Sequence, residues 1–170
     1  MSATLPGGRR QILSFLLPGD IVSTAYLFGP ISGRIVDAVT DVTFRSFKRS
    51  DLQALLFKNT DLFETVMKVW IEEEERSVQL TVDLGRRTAI ERLARLILSL
   101  ADRLAKRGMM HGQSMEFPLR QHHIADATGL TPVHVSKVLG EFQRAGLIEI
   151  NNRSLTINDI AALRRMGEMH

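Results

Sequence analysis

Between residues 121 and 157 the spacing of apolar positions changes from helical to alternating. Ile124 and Ala127 lie three apart and share one face of a predicted helix over about Gln121 to Thr128. Ala125 is small enough to let another helix cross closely. Gly129 stands where that helix must end and the chain must turn with positive φ, a conformation glycine tolerates best. Leu130 is placed to plug the corner. Thr131-Pro132 opens a second helix: threonine caps free amides, and proline at the first helical position forfeits no hydrogen bond. Val135, Val138, Leu139 and Phe142 follow at helical spacing and predict a buried stripe. Ala145-Gly146 ends this helix and the period drops to two. Leu147 to Ile150 alternates, Asn151-Asn152-Arg153 carries turn chemistry, and Ser154 to Ile157 alternates back, so a hairpin follows. Two short helices, a tight turn and a hairpin make a winged helix-turn-helix.

Upstream, the pattern is mixed. Residues 1–8 read as a loose leader. From Arg9 to Phe47 short strands are expected: Ile12 to Leu17 alternates, Pro18-Gly19-Asp20 turns, Val36 to Asp41 alternates again, and Val42 to Phe47 continues in strand style. Ser50-Asp51 caps a short helix to about Phe57. A long helix is predicted from Thr60 or Asp61 to about Leu84, with Asp61 and Glu64 resembling a capping box. Phe63, Met67, Trp70, Val78 and Thr81 form one seam along it, with Leu62, Val66, Val69 and Leu80 beside them. So wide an apolar surface suits a partner helix, most simply the same helix of a second chain; packing within its own domain is the alternative. Glu72-Glu73-Glu74-Glu75 interrupts the seam, so Glu73 or Glu74 approaches it, either to fix register, to face a cavity, or to stay solvated where helices splay. Gly85-Arg86-Arg87 reads as a hinge. Thr88-Ala-Ile-Glu91 is a capping box opening a helix through Leu93, Leu96, Ile97, Leu100 and Leu104 that ends near Gly108. His111 to Ser114 is loop, and Met115 to Leu119 a short strand.

The face of the second helix opposite its stripe carries the candidate chemistry. Pro132, Val133, His134, Ser136 and Lys137 are short, polar or basic, as a surface reading the DNA major groove requires. Lys137 suits guanine acceptors or phosphate, His134 and Ser136 donate or accept, and Val133 suits a thymine methyl. Backbone amides at Thr131 to Val133 are placed to hold a phosphate. Asn152 and Arg153, with Asn151, sit at the expected wing tip, for phosphate or minor-groove contact or for solubility alone. The bland alternative for the helix is an ordinary amphipathic element with a solvated face.

Composition sharpens this only partly. At 170 residues and 44% hydrophobic content the chain suffices for one or two small cores. Net charge is +3, unevenly spread: residues 1–85 hold nine lysines and arginines against eleven acids, residues 86–170 thirteen against eight. The basic excess thus travels with the winged helix, as a polyanion partner requires. No cysteine is present, which removes disulfides, thiolate metal sites and cysteine-ligated iron–sulfur clusters. Without a long apolar run or a signal-peptide pattern, the chain is expected to be soluble and cytoplasmic, with no membrane partner. An enzyme is disfavoured. His111, His122, His123 and His134 offer no pair at metal-ligand spacing, and Gly7-Gly8 and Gly29 to Gly33 lack the context and lysine of a phosphate loop.

The order of elements resembles the Crp/Fnr family of bacterial transcription regulators. The matching pieces are Ile12 to Ile21 with its Pro-Gly-Asp turn, the long helix running into Gly85-Arg-Arg-Thr-Ala-Ile-Glu-Arg-Leu-Ala94, and the helix-turn-helix with its wing. The resemblance covers nearly the whole chain from Arg9 and is strongest over 86–157. It implies an α+β fold: a partial cyclic-nucleotide-binding-like β-roll over 1–58, a dimerisation helix and hinge over 59–87, and a winged-helix DNA-binding domain over 88–170. It implies a homodimer on a palindromic site of double-stranded DNA, with RNA polymerase as a further partner. Recognition falls to Val133, His134, Ser136 and Lys137, with Gln121 as a phosphate contact and Thr131 and Pro132 at the helix start. Dimerisation falls to Phe63, Val66, Met67, Trp70 and Val78. Pro132, Val133 and His134 stand where typical members place arginine or glutamate, so a different operator is expected. Two departures matter. Members carry further strands before the Ile12 segment, so the chain reads as a late-start product, a fragment or a degenerate sensor, with unpaired edges. Nucleotide-binding members also have Gly-Glu and Arg-Ser pairs where this chain has Ser23-Thr24 and Ser32-Gly33-Arg34-Ile35, so cyclic AMP is not expected and no cofactor is implied. The competing function is an interaction module that pairs with a full-length relative and modulates it.

Overall fold

The computed structural model describes residues 1–30 and 34–168 and shows an α+β fold. The C-terminal core forms where four helices and one small sheet meet. Helix α4 (Ala89–Ala105) carries Leu93, Ala94, Ile97 and Leu100 on one buried stripe. It starts as the sequence predicts: the Thr88 amide donates to Glu91 Oε2 at 2.6 Å, while the Glu91 amide donates to Thr88 Oγ1 at 3.4 Å. Strand β3 (Ser114–Glu116) pairs antiparallel with β5 (Ser154–Ile157), which pairs antiparallel with β4 (Ile148–Asn151). Met115, Ile148, Leu155 and Ile157 face inward from this sheet, alternating with exposed or half-buried neighbours.

Helices α5 (Gln121–Thr128) and α6 (Pro132–Arg144) close the core from the other side. Gly129 between them has φ +66°, and a Cβ there would stand 3.0 Å from Leu84 Cδ2, so both conformation and space call for glycine. A helix absent from the sequence reading, α7 (Ile160–Glu168), packs along α4 through fully buried Leu163. Asp159 caps it, its Oδ1 accepting from the Ala162 amide at 2.8 Å.

The N-terminal part departs more from expectation. Residues 1–8 are no loose leader. Strand β1 (Ser2–Thr4) pairs antiparallel with β2 (Arg10–Ile12), and Ser2 also bridges to Ile35. The strands expected over 36–47 do not form: among the described residues no neighbouring strand beyond Ile35 takes their backbone hydrogen bonds, and Phe47 is left 73% exposed. Short helices α1 (Ala25–Phe28) and α2 (Arg49–Lys58) meet the long helix α3 (Thr60–Arg86) in a small cluster of Leu27, Leu56 and Val66. The cap of α3 is Asn59, whose Oδ1 accepts from the Leu62 amide at 2.9 Å, and not Asp61. Asp61 lies inside the first turn, where a carboxylate faces the positive helix end instead. Gly85 is still helical, so the break falls at Arg87.

Candidate nucleic-acid interface

Helix α6 has two unlike faces. Val135 is fully buried, and Val138, Leu139 and Phe142 are buried with it. Thr131, Pro132, Val133, His134, Ser136 and Lys137 are all exposed, Val133 at 81%. Thr131 fixes the helix start: its extended backbone leads into Pro132, and its Oγ1 accepts from the His134 amide at 3.2 Å. The exposed residues crowd into the first turns, so one open surface is carried on a rigid back. Leu130 is half-buried at the corner, its amide donating to Ala125 O at 3.1 Å. Ala125 is buried among α4, α5 and α6, where a larger side chain would force them apart.

Gln121 is exposed at the first residue of α5, flanked by exposed Arg120 and His122, neither of which the sequence assigned to DNA contact. Their order, Arg-Gln-His-His, was the available signal. The start of α5 is closed by an unusual cap: His123 Nδ1 accepts from the Arg120 amide at 3.1 Å. Burial holds the His123 pKa below the ordinary histidine value, helped by the charges of His122, Arg10 and Arg120 and opposed by Asp126. The two imidazoles stand 4.0 Å apart between ring centres.

The wing tip comes from a tight hairpin. Asn152 and Arg153 have φ of 45° and 66°, as a two-residue turn of this hand demands, and both are exposed. Phe117 donates its amide to Arg153 O at 2.6 Å, and the Ser114 and Thr156 hydroxyls share a 2.7 Å bond, so the tip stands on a tied base.

The five residues assigned to a dimer seam do not share one fate. Phe63, Trp70 and Val78 are exposed along α3, the last two at 50%, and Met67 is half-buried. Val66 is a correction: it faces Leu27 and Leu56 of its own chain, because α1 and α2 cover that side of the helix. Ile71 and Val82 join the exposed seam, which sequence reading missed, and Glu74 interrupts it. Glu73 is not solvated at a splay. Its Oε2 accepts from the Thr24 hydroxyl at 2.5 Å and from the Thr24 amide at 3.3 Å. Ser23 and Thr24 are themselves buried. Ser32 and Gly33, the other half of the expected ligand region, lie outside the described residues.

Residues 91–166 match the family model of the Crp-like helix-turn-helix domain. The nitrogen fixation regulation protein FixK of Bradyrhizobium diazoefficiens is 31% identical over 167 residues, covering 96% of this chain and 68% of that protein. The chain belongs to the Crp/Fnr family of transcription regulators. Another similar member, the transcriptional activator protein FnrL of Cereibacter sphaeroides, is 28% identical over 173 residues, 96% of this chain and 66% of its own. The chain therefore spans about two thirds of the length of these Crp/Fnr relatives. A transcriptional regulator of the CRP family from Thermus thermophilus superposes with a TM-score of 0.76 at 26% identity, over 99% of this chain and 82% of that one. FixK2 from Bradyrhizobium japonicum gives the same TM-score and coverage at 24% identity, a likeness of fold. Among the described residues no helix is long and apolar enough to cross a membrane.

Proposed function

We propose that the chain is a non-enzymatic, sequence-specific DNA-binding regulator of transcription, acting in the cytoplasm as a homodimer on a palindromic site. The observation that carries this reading is the division of α6: Val135 is fully buried while Val133, two residues earlier, is 81% exposed among polar and basic neighbours. These side chains are open to solvent, and the first turns of a capped helix suit a major groove. Val133, His134, Ser136 and Lys137 read base edges. Gln121 and the amides from Thr131 to Val133 take phosphates, Pro132 sets the helix start, and Asn152 and Arg153 reach the backbone beside the groove. In a dimer the two copies of α6 lie about 34 Å apart, one turn of duplex. RNA polymerase is the further partner, as the resemblance implies. No cyclic nucleotide is assigned: Thr24, where nucleotide-binding relatives carry the gripping carboxylate, is turned into Glu73 of its own chain.

The test is selection of bound fragments from random DNA, followed by gel-shift titration at several salt concentrations. A recovered palindrome, bound tightly and with a steep salt dependence, is expected. Weak sequence-independent binding by the pure chain, together with tight association to a full-length relative, would sink this reading in favour of a modulator.

A further inference from the structure

Helices α3 and α4 follow one another across a break at Arg87, the apex of the pair, and line one cleft together. The apex is pinned locally. Arg92 donates to Leu84 O and Arg87 O, and Arg95 pairs with Asp83 at 2.9 Å. Away from the apex the arms separate around a cleft of about 600 Å³ lined by both helices and by Ile12 to Phe15. A pin at the apex is a poor restraint on the opening angle, because small rotations there become large displacements at the ends.

The N-terminal segment ties the middle of α3 to the far end of α4. Thr24 is bonded to Glu73 on α3. Asp20 is paired with Arg103, in the last turn of α4, at 2.6 Å and with Arg107, just past the helix end. Asp20 also closes its own turn, accepting from the Leu17 amide at 2.8 Å. Glu73 stands 14 residues before Arg87 and Arg103 stands 16 after it, so the two anchors lie about 21 and 24 Å from the apex at 1.5 Å per residue. Only Ile21, Val22 and Ser23 separate the two anchor residues. A second foot rests on the helix-turn-helix itself: Arg10 pairs with Asp126 at 2.9 Å, and Gln11 Nε2 donates to Ala127 O at 3.2 Å. Phe15 and Leu17 pack against the C-terminal core between these points.

We propose that residues 10–24 are a tie bar that fixes the angle between α3 and the winged helix, with Asp20 and Thr24 as its positioning residues. Thr24 is buried and Asp20 half-buried, and neither belongs to the exposed residues assigned to DNA. Resting on the homodimer reading above, the tie bar sets the separation of the two copies of α6 and hence the half-site spacing the dimer accepts. A loosened tie lets each winged helix swing, so the dimer still binds half-sites but no longer distinguishes their spacing.

Full-length native protein, Asp20→Asn and Thr24→Val are compared on four duplexes: the selected palindrome, the same palindrome with one base pair added or removed at its centre, and a single half-site. Both substitutions are nearly isosteric, and thermal melting checks that each variant folds. The native chain is expected to disfavour the altered spacings by tenfold or more. Each variant is expected to lose threefold or more of that discrimination while its half-site affinity stays within twofold. Native-like spacing discrimination in both Asp20→Asn and Thr24→Val overturns the proposal. So does an equal loss on palindrome and half-site, which marks these groups as structural only. Absence of any native preference for the palindrome over the half-site removes the homodimer reading itself, and the tie bar's role with it.

Discussion

Lys137 stands four residues after Val133 on the exposed side of α6, so the two flank one strip of helix surface, with Ser136 beside them. If Lys137 donates to a guanine edge, Lys137→Ala should cost about 1–3 kcal/mol and relax preference at one operator position. Gel-shift titration across single-base operator variants checks this; an equal loss on every sequence reassigns Lys137 to phosphate. His123 gives a pH test. Its Nδ1 must be unprotonated to accept from the Arg120 amide, and its pKa is lowered chiefly by burial. The sign follows: the stabilisation is fully present above the unfolded histidine value and is lost as pH falls through the lower folded value. An NMR titration of the His123 ring should show a midpoint below that of a free histidine. A midpoint at or above it contradicts the cap.

At the scale of elements, the parts written in local chemistry were the ones legible in the sequence. Thr88 with Glu91, Gly129, Thr131-Pro132 and the α6 stripe each act within a few residues, so pattern and physics agreed. Thr131→Ala should destabilise the domain by about 1 kcal/mol and Phe142→Ala by about 3–5 kcal/mol, read by denaturant melts. Unchanged melts in both would mean that α6 does not hold the core as its burial indicates. The illegible parts depend on distant partners. Val36 to Phe47 alternates like a strand, but a strand exists only where a neighbour accepts its hydrogen bonds, and alternation says nothing of the neighbour. The cap was read at Asp61, but the helix starts one residue earlier, at Thr60, and so Asn59 takes the capping place. Val66 belonged to an apolar surface so wide that sequence alone did not say which side α1 and α2 would cover. The exposed face of α6 was readable, whereas Arg10, Gln11 and Asp20 meet groups more than eighty residues away and left no local trace.

At the scale of the molecule, the proposed homodimer gives α3 the choice of whether one winged helix or two engages DNA. Its inner side is occupied by Leu27 and Leu56 against Val66, and its outer side leaves Phe63, Trp70, Ile71, Val78 and Val82 exposed. Phe63 to Trp70 and Ile71 to Val78 are steps of seven and Val78 to Val82 a step of four, so they share one helix side, which is the pattern of a helix awaiting a second helix. Glu74 lies within the stripe, so two copies must meet with that carboxylate at the rim or in water. Trp70→Glu combined with Val78→Glu places like charges across such a seam without touching the winged helix. Linking two DNA-binding modules raises affinity by about 10²–10⁴ over either alone, so the doubly substituted chain should sediment as a monomer and lose a factor of that order on the palindrome. Its affinity for a single half-site should stay close to native. A dimer that persists in sedimentation, or a palindrome bound as tightly as before, would show that α3's outer face is not the contact between copies. It would also leave these five apolar side chains without the partner their spacing calls for.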